Sequence, residues 1–462
     1  IPASLRGVGA PLAYHAEPAT TAPADALLAW ADRHRVPLLA GVVLTLLVGF
    51  NGQWRIEPDS ALYMGLARNL ARGQGFTYHG ATHRLVYPGF PLALSVLFRC
   101  FPAHPVAAAD ALALAAGAAA LALTFRLLRL AIDRPTAVVV TLGVGLSHEF
   151  YTFCLQVMPE CPFLAGAMAL LAGHEAISRR PRATAVDWAL LVAGAIVVIT
   201  TKPMTIALVP ASVVTLPWRG RHRRRAAVAA AILIGLMAAF WAVDPRRPFS
   251  PAAAASYEQL AAREAGRVPG RWPAGVVANV ADLLGASVAR TLVGLPMGTP
   301  LVGALFAVPV LAGTLGLWRF RPLWGAWATA TLAKSVLLLS HDRYLVPILP
   351  LLVQGEWRAL RWGAARLPAR AAIGVVTAAL VAVLGVNLVM TGVTAAEQHA
   401  SPLLSAYHGG RLCGLAEMGS VVANATPADA VLVAPATTAR EFTFLSGAMC
   451  TSPPPRHRVP AT

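Results

Sequence analysis

Long apolar runs that recur between clusters of arginine constrain this chain more than any other feature. About twenty apolar residues cross a bilayer as one helix, because only a helix satisfies every backbone polar group where there is no water. The first run, VPLLAGVVLTLLVGF, follows Arg33 and Arg35, and comparable runs continue to Met390. Of the 462 residues, 57% are hydrophobic and 13% charged, well under the charged share of a soluble domain. The net charge of +17 does not point to nucleic acid. Its arginines gather in short loops between apolar runs, which is how cytoplasmic loops are marked.

With arginine-rich loops inside, the chain threads as follows. The first span runs outward to Trp54. Residues 55–105 form an external loop, in which Asp59 or Ser60 is the expected N-cap of a helix that ends at Gly73 and Gly75. Leu62, Leu66 and Leu70 share a face with Tyr63 and Ala67, so this helix is expected to lie along the membrane surface. YPGFPLALSVLF is too short to span and is expected at the interface. Spans follow at Ala107 to Leu128, Thr136 to His148 and Pro162 to Ile177; two more join at Thr201-Lys202-Pro203 and return to RGRHRRR. A seventh ends at Trp241, and a polar external loop runs from Asp244 to Ser287. The remaining four turn at Trp318 to Arg321, at Ser340 to Arg343 and at Arg358 to Arg361, the last covering Ala372 to Met390.

The expected fold is thus an all-α polytopic membrane protein of about eleven helices. It has external juxtamembrane helices and a small α/β C-terminal appendage. Residues 1–32 read as disordered, 33–392 as the membrane domain and 393–462 as the external tail, with a strand at Val431 to Ala434 between helical stretches. None of the five cysteines has CxxC or Cys/His metal spacing. Cys413 and Cys450 in the tail either pair in an oxidising compartment or are unrelated thiols.

The rare charges then fall at the outer face: Glu57, Asp59, Glu149, Glu160, Lys202, His341, Asp342 and Arg343. Charge at membrane depth is costly and is a functional hypothesis by default. Lys202 and Lys334 are the chain's lysines, both in apolar surroundings. A compact ammonium suits a phosphate; the plainer reading is snorkelling at a helix end. Asp59 is accounted for by capping alone, yet a cap also holds a carboxylate rigidly. No metal-ligand spacing is present, so no metal ligand is assigned and a divalent ion stays open.

These segments resemble a family. DSALYMGLARNLARGQGF followed by YPGFPLALSVLF resembles the first external loop of the GT-C membrane glycosyltransferases, through Asp59, Tyr63, Ala67, Gly73, Gly75, Tyr87 and Pro88 in order. The closer likeness is to the protein O-mannosyltransferase and lipid A aminoarabinose transferase group. MPECPFLAGAMALL (Glu160), TTKPMTIALVPA (Thr201, Lys202) and HDRYLVPILPLL (Arg343, Tyr344) resemble later segments of the same family. Many members carry Asp-Glu where this chain has Asp59-Ser60.

The resemblance implies transfer of a sugar from a polyprenyl-phosphate carrier to the hydroxyl of an acceptor glycan, lipid or protein, with inversion, at the outer face of a multi-pass protein of the bacterial inner membrane. It implies Asp59 as base, Glu160 as a second carboxylate, and Lys202 and Arg343 on the leaving phosphate. Tyr63, Tyr87 and Tyr344 would contact the sugar, although interfacial tyrosines are usually membrane-belt residues. The rival reading is a transporter or lipid flippase with an outer-facing polar site. Such proteins favour midplane charges, Gly/Pro-broken helices and internal repeats, whereas here there is no clear repeat and the charges cluster at the outer rim. A non-catalytic membrane assembly subunit is a third reading, against which the retained acid and cations argue.

Overall fold

The computed structural model describes residues 22–55, 58–78, 81–83, 86–218, 222–243, 272–294, 299–337, 342–400, 431–433 and 449–451. In chain order the helices are α1 (Ala22–Arg33), α2 (Arg35–Val48), α3 (Pro58–Ala71), α4 (Gly89–Cys100), α5 (Pro105–Ala131), α6 (Arg134–Gly145), α7 (His148–Cys154), α8 (Glu160–Arg179), α9 (Ala185–Thr201), α10 (Thr205–Val214) and α11 (Arg223–Val243). Then come α12 (Trp272–Asp282), α13 (Val288–Val293), α14 (Pro300–Leu315), α15 (Pro322–Leu337), α16 (Leu349–Ala364) and α17 (Ala369–Ala400). Among the described residues six helices are long and apolar enough to cross a membrane, or seven if the bent pair α6–α7 counts as one span. Four apolar helices, α2, α4, α9 and α10, are shorter.

Local chemistry sets the ends. Asp133 caps α6, accepting from the Thr136 N–H at 2.9 Å. Thr184 and Asp187 form a reciprocal capping box at the start of α9. After α3 the chain turns through Gly73 and Gly75, at φ +77° and +76°, backbone that a side chain rarely tolerates. A two-residue hairpin follows, pairing Thr77 with Thr82 and Tyr78 with Ala81.

The arginine clusters that the sequence assigned to one side do meet at one end. Arg126 and Arg180 both reach Asp187, at 2.7 and 3.4 Å. Arg179 and Arg321 share Glu175, Arg225 donates to the Arg180 and Pro181 carbonyls, and Arg134 pairs with Asp32.

Five expectations are corrected. Asp59 is not the cap of α3 but lies in its first turn, because the helix begins at Pro58, whose fixed φ suits an opening position. The helix expected at the surface is buried over residues 60–67, packed against α4 and the core. The polar loop to Ser287 is helical from Trp272, with a π-turn at Leu283–Ser287 leading into α13. Residues 275–293 pass as a span on length and composition. Their contacts, however, are with the end opposite the arginines: Asn279 donates to the Val336 carbonyl, Arg290 pairs with Asp342, and Gly294 packs on His148. The third expected span is broken, α6 and α7 meeting at 63°. The last is longer than expected, reaching Ala400.

In the tail, Val431–Val433 is a strand as expected and pairs in parallel with Met449–Thr451. The tail helices, Cys413, Glu57 and His341 lie outside the described residues.

Among the described spans α8 is the most enclosed, with 83% of its apolar stretch buried, against 11% for α17. It lies against α9 through glycines. A Cβ on Gly194 would fall 2.4 Å from the Leu170 nitrogen and 2.6 Å from the Gly166 carbonyl oxygen. Small residues are what allow helix backbones to meet in a membrane. Gly194→Val is therefore expected to push α9 off α8 and lower stability by about 1–3 kcal/mol, measured as the thermal midpoint of the solubilised protein. An unchanged midpoint would show that the helices do not meet there.

Candidate active site

The α8–α9 crossing fixes a polar contact at the end opposite the arginines. Glu160 is the first residue of α8 and Lys202 the residue that ends α9. The antiparallel pair brings Lys202 Nζ to 2.6 Å from Glu160 Oε1, with the two side chains 9% and 0% exposed. The lysine breaks the helix in extended backbone, and the turn it heads is closed by the Thr205 hydroxyl, which donates to the Lys202 carbonyl at 2.7 Å.

Arg343 joins this pair from the other half of the chain. It lies in the 3-10 turn Asp342–Tyr344, which a second such turn, Val346–Ile348, links to α16. Its Nη1 donates to Asp59 Oδ2 at 2.8 Å, and its Nε lies 3.5 Å from Glu160 Oε1. Burial pulls the guanidinium toward its neutral form; Glu160 and then Asp59 outweigh that and hold it well above its ordinary pKa. Glu160 Oε2 is buried and has no hydrogen-bond partner among the described residues, so one acceptor oxygen at the centre of the cluster stays open. Four charges from α3, α8, the end of α9 and the 342–344 turn thus converge, two acids against two cations.

Of the aromatic candidates, Tyr344 and Tyr63 lie close to Arg343. Tyr344 carries Lys334 Nζ 4.0 Å from its ring centroid and the Arg343 guanidinium at 5.6 Å. Tyr63, 4% exposed, meets Phe90 edge-on and is near enough to Arg343 to act on it electrostatically. Tyr87 stacks on Phe240 at 5.8 Å. Among the described residues no three His, Cys, Asp or Glu side chains are arranged to hold a metal ion.

Two residues escaped the sequence reading. Arg290, on α13, donates to Asp342 Oδ2 at 2.7 Å and so anchors the turn that carries Arg343. Arg55 is buried, close enough to His148 and Glu149 to act on both. Each is an arginine on the arginine-poor side, the signal that singled out Arg343.

The fold has known counterparts. It superposes on ArnT from Cupriavidus metallidurans bound to undecaprenyl phosphate with a TM-score of 0.58 at 16% identity, over 90% of this chain and 85% of that one. It superposes on the Archaeoglobus fulgidus oligosaccharyltransferase in complex with Zn and sulfate with a TM-score of 0.59 at 13% identity, over 89% of this chain and 62% of that one. For the archaeal oligosaccharyltransferase AglB from the same organism, in complex with an inhibitory peptide and a dolichol-phosphate, the TM-score is 0.56 at 12% identity, over 92% and 65%. The chain therefore spans less than two thirds of the oligosaccharyltransferase chains. No protein-family model matches the sequence, and no curated protein does. This chain shares the helical membrane fold of both counterparts.

Proposed function

We propose that this protein is a membrane glycosyltransferase that moves a sugar from a polyprenyl-phosphate carrier to an acceptor hydroxyl at the outer face of a bacterial inner membrane. The observation that carries the reading is the convergence of Asp59, Glu160, Lys202 and Arg343 at one end of the fold. The reading keeps about eleven passages of the membrane, α2, α5, the bent pair α6–α7, α8 to α11 and α14 to α17, with the tail after α17 outside.

In this reading Lys202 and Arg343 hold the carrier phosphate and stabilise the charge it gains as it leaves. Asp59 takes the proton of the acceptor hydroxyl, and Glu160, through its open oxygen, orients sugar or acceptor. A single displacement inverts the anomeric carbon. Tyr344 flanks the sugar, with Tyr63 and Tyr87 behind it in the wall. Arg343 is tied to Asp59. An arriving phosphate competes for the guanidinium and releases the carboxylate to act as base, so the base is exposed only when a donor is present.

Arg343→Lys tests the bridge. A lysine keeps the charge but cannot serve two carboxylates in one plane, and loss of one charge-assisted bond is expected to lower transfer about 10- to 100-fold. Wild-type kcat/KM in that variant would remove Arg343 from the phosphate site.

The reaction itself is tested with membranes containing the protein and a panel of radiolabelled polyprenyl-phosphate sugars, with total cell glycolipid and protein as acceptors. Label leaving the carrier for an acceptor is the expected result. Label that crosses the membrane still on its carrier would make the protein a flippase instead.

A further inference from the structure

The turn that presents Glu160 carries two thiols that the transfer chemistry does not use. Cys154 is the last residue of α7 and Cys161 the second of α8. The bend between these helices brings Cys154 Sγ to 3.6 Å from Cys161 Sγ. Both side chains are fully enclosed, and so is most of the link between them: Leu155, Val157, Met158 and Glu160 are 3%, 0%, 3% and 0% exposed. Gly117 of α5 walls in the first sulfur, since a Cβ there would lie 2.3 Å from Cys154 Sγ. The two sulfurs have a common enclosure, and contraction to bonding distance needs movement of only one or two ångströms.

We infer that Cys154 and Cys161 are joined by a disulfide that staples the turn carrying Glu160. The inference rests on the orientation proposed above, which puts this end of the fold in an oxidising compartment. The bond forms by thiol–disulfide exchange with a disulfide-bearing donor. One cysteine thiolate attacks the donor disulfide to give a mixed disulfide, and the second displaces the donor as a dithiol. Two electrons and two protons pass from the cysteines to the donor. Enclosure of both thiols in the folded chain places the exchange before α5 and α8 close over the turn, and thereafter shields the bond from reductant.

The test uses the full chain from native membranes, denatured in an alkylating reagent without reductant and mapped peptide by peptide. The expected result is an unalkylated species joining the Cys154 and Cys161 peptides, two hydrogens lighter than the dithiol, which reductant converts to two alkylated peptides. Alkylation of both cysteines without reductant, or pairing of either with another cysteine, overturns the inference. Orientation is read separately on Cys100, which is exposed at the end of α4, with a membrane-impermeant maleimide on intact cells. Free Cys154 and Cys161 overturn the disulfide in either case. Label on Cys100 from outside leaves the orientation standing, and label only after permeabilisation removes the orientation too. A second measurement is the melting of denaturant-loosened wild type with and without reductant. Reduction is expected to lower the midpoint by about 5 °C and to have no such effect on the Cys154→Ser/Cys161→Ser variant. Equal responses of the two proteins to reductant contradict the staple.

Discussion

Asp59→Asn is expected to cut sugar transfer by about 10²–10⁴-fold and to leave the protein folded and inserted. The amide is isosteric with the carboxylate, and its carbonyl oxygen can still accept the Arg343 Nη1 hydrogen bond now made at 2.8 Å. The geometry of the 342–344 turn is thereby preserved while the proton acceptor is lost. The stability cost is small. The Arg343 and Asp59 side chains are 20% and 26% exposed, so their ion pair is screened by solvent and contributes at most about 1 kcal/mol. A carboxylate in the first turn of α3 also faces the positive end of the helix dipole, worth a further few tenths of a kcal/mol. The two roles separate in the assay. If Asp59 only stabilises the helix terminus, the variant loses a little stability and keeps its kcat. If it is the base, kcat falls while the donor KM changes little, because the amide still leaves Arg343 for the phosphate.

Glu160→Gln is expected to be the most destabilising single change at the site. Lys202 is 7% exposed and Glu160 wholly buried, and removing one partner of a buried pair costs about 3–5 kcal/mol, because the other charge remains without water. Lys202→Met leaves Glu160 beside Arg343, whose Nε is 3.5 Å away, so its cost is smaller. The double variant Glu160→Gln/Lys202→Met removes both charges and is expected to recover most of the stability lost by Glu160→Gln alone. Transfer is expected to fail in all three. A double-mutant cycle on denaturant or thermal midpoints in detergent measures the coupling. Purely additive effects would mean that the pair is not the closed contact described here.

Much of this site was legible in the sequence because charge stands out against an apolar background. Glu160 and Lys202 interrupt apolar runs, Arg343 appears on the side that arginine avoids, and Asp59 follows the first span. Each was conspicuous by where it stood. Pairing was not legible. Lys202 and Glu160 are 42 positions apart, and Arg343 and Asp59 are 284 apart, so only the packing of α8 on α9 and the 342–344 turn brings them together. Arg290 was hidden for a different reason. Its surroundings, SVARTLVG, merge with the apolar run that follows, and the polar composition upstream suggested a loop where α12 and the π-turn form. The break between α6 and α7 was missed because hydropathy continues through it, and the bend is what places Cys154 against Cys161 without any CxxC spacing. Burial of α3 also ran against its amphipathic pattern. Its polar face, with Asn69 donating to the Thr77 carbonyl at 2.8 Å, is satisfied by the hairpin, and α4 covers the rest.

In the proposed reaction the bond broken lies between the anomeric carbon and the phosphate oxygen, with Lys202 and Arg343 on the phosphate that departs. The most direct measurement supplies purified protein with a polyprenyl-phosphate sugar labelled separately in lipid, phosphorus and sugar, and identifies the lipid product. Polyprenyl phosphate, formed in equal amount to glycosylated acceptor and absent with Asp59→Asn, is the predicted result. Free polyprenol with sugar phosphate on the acceptor, or a carrier that is never cleaved, would contradict it.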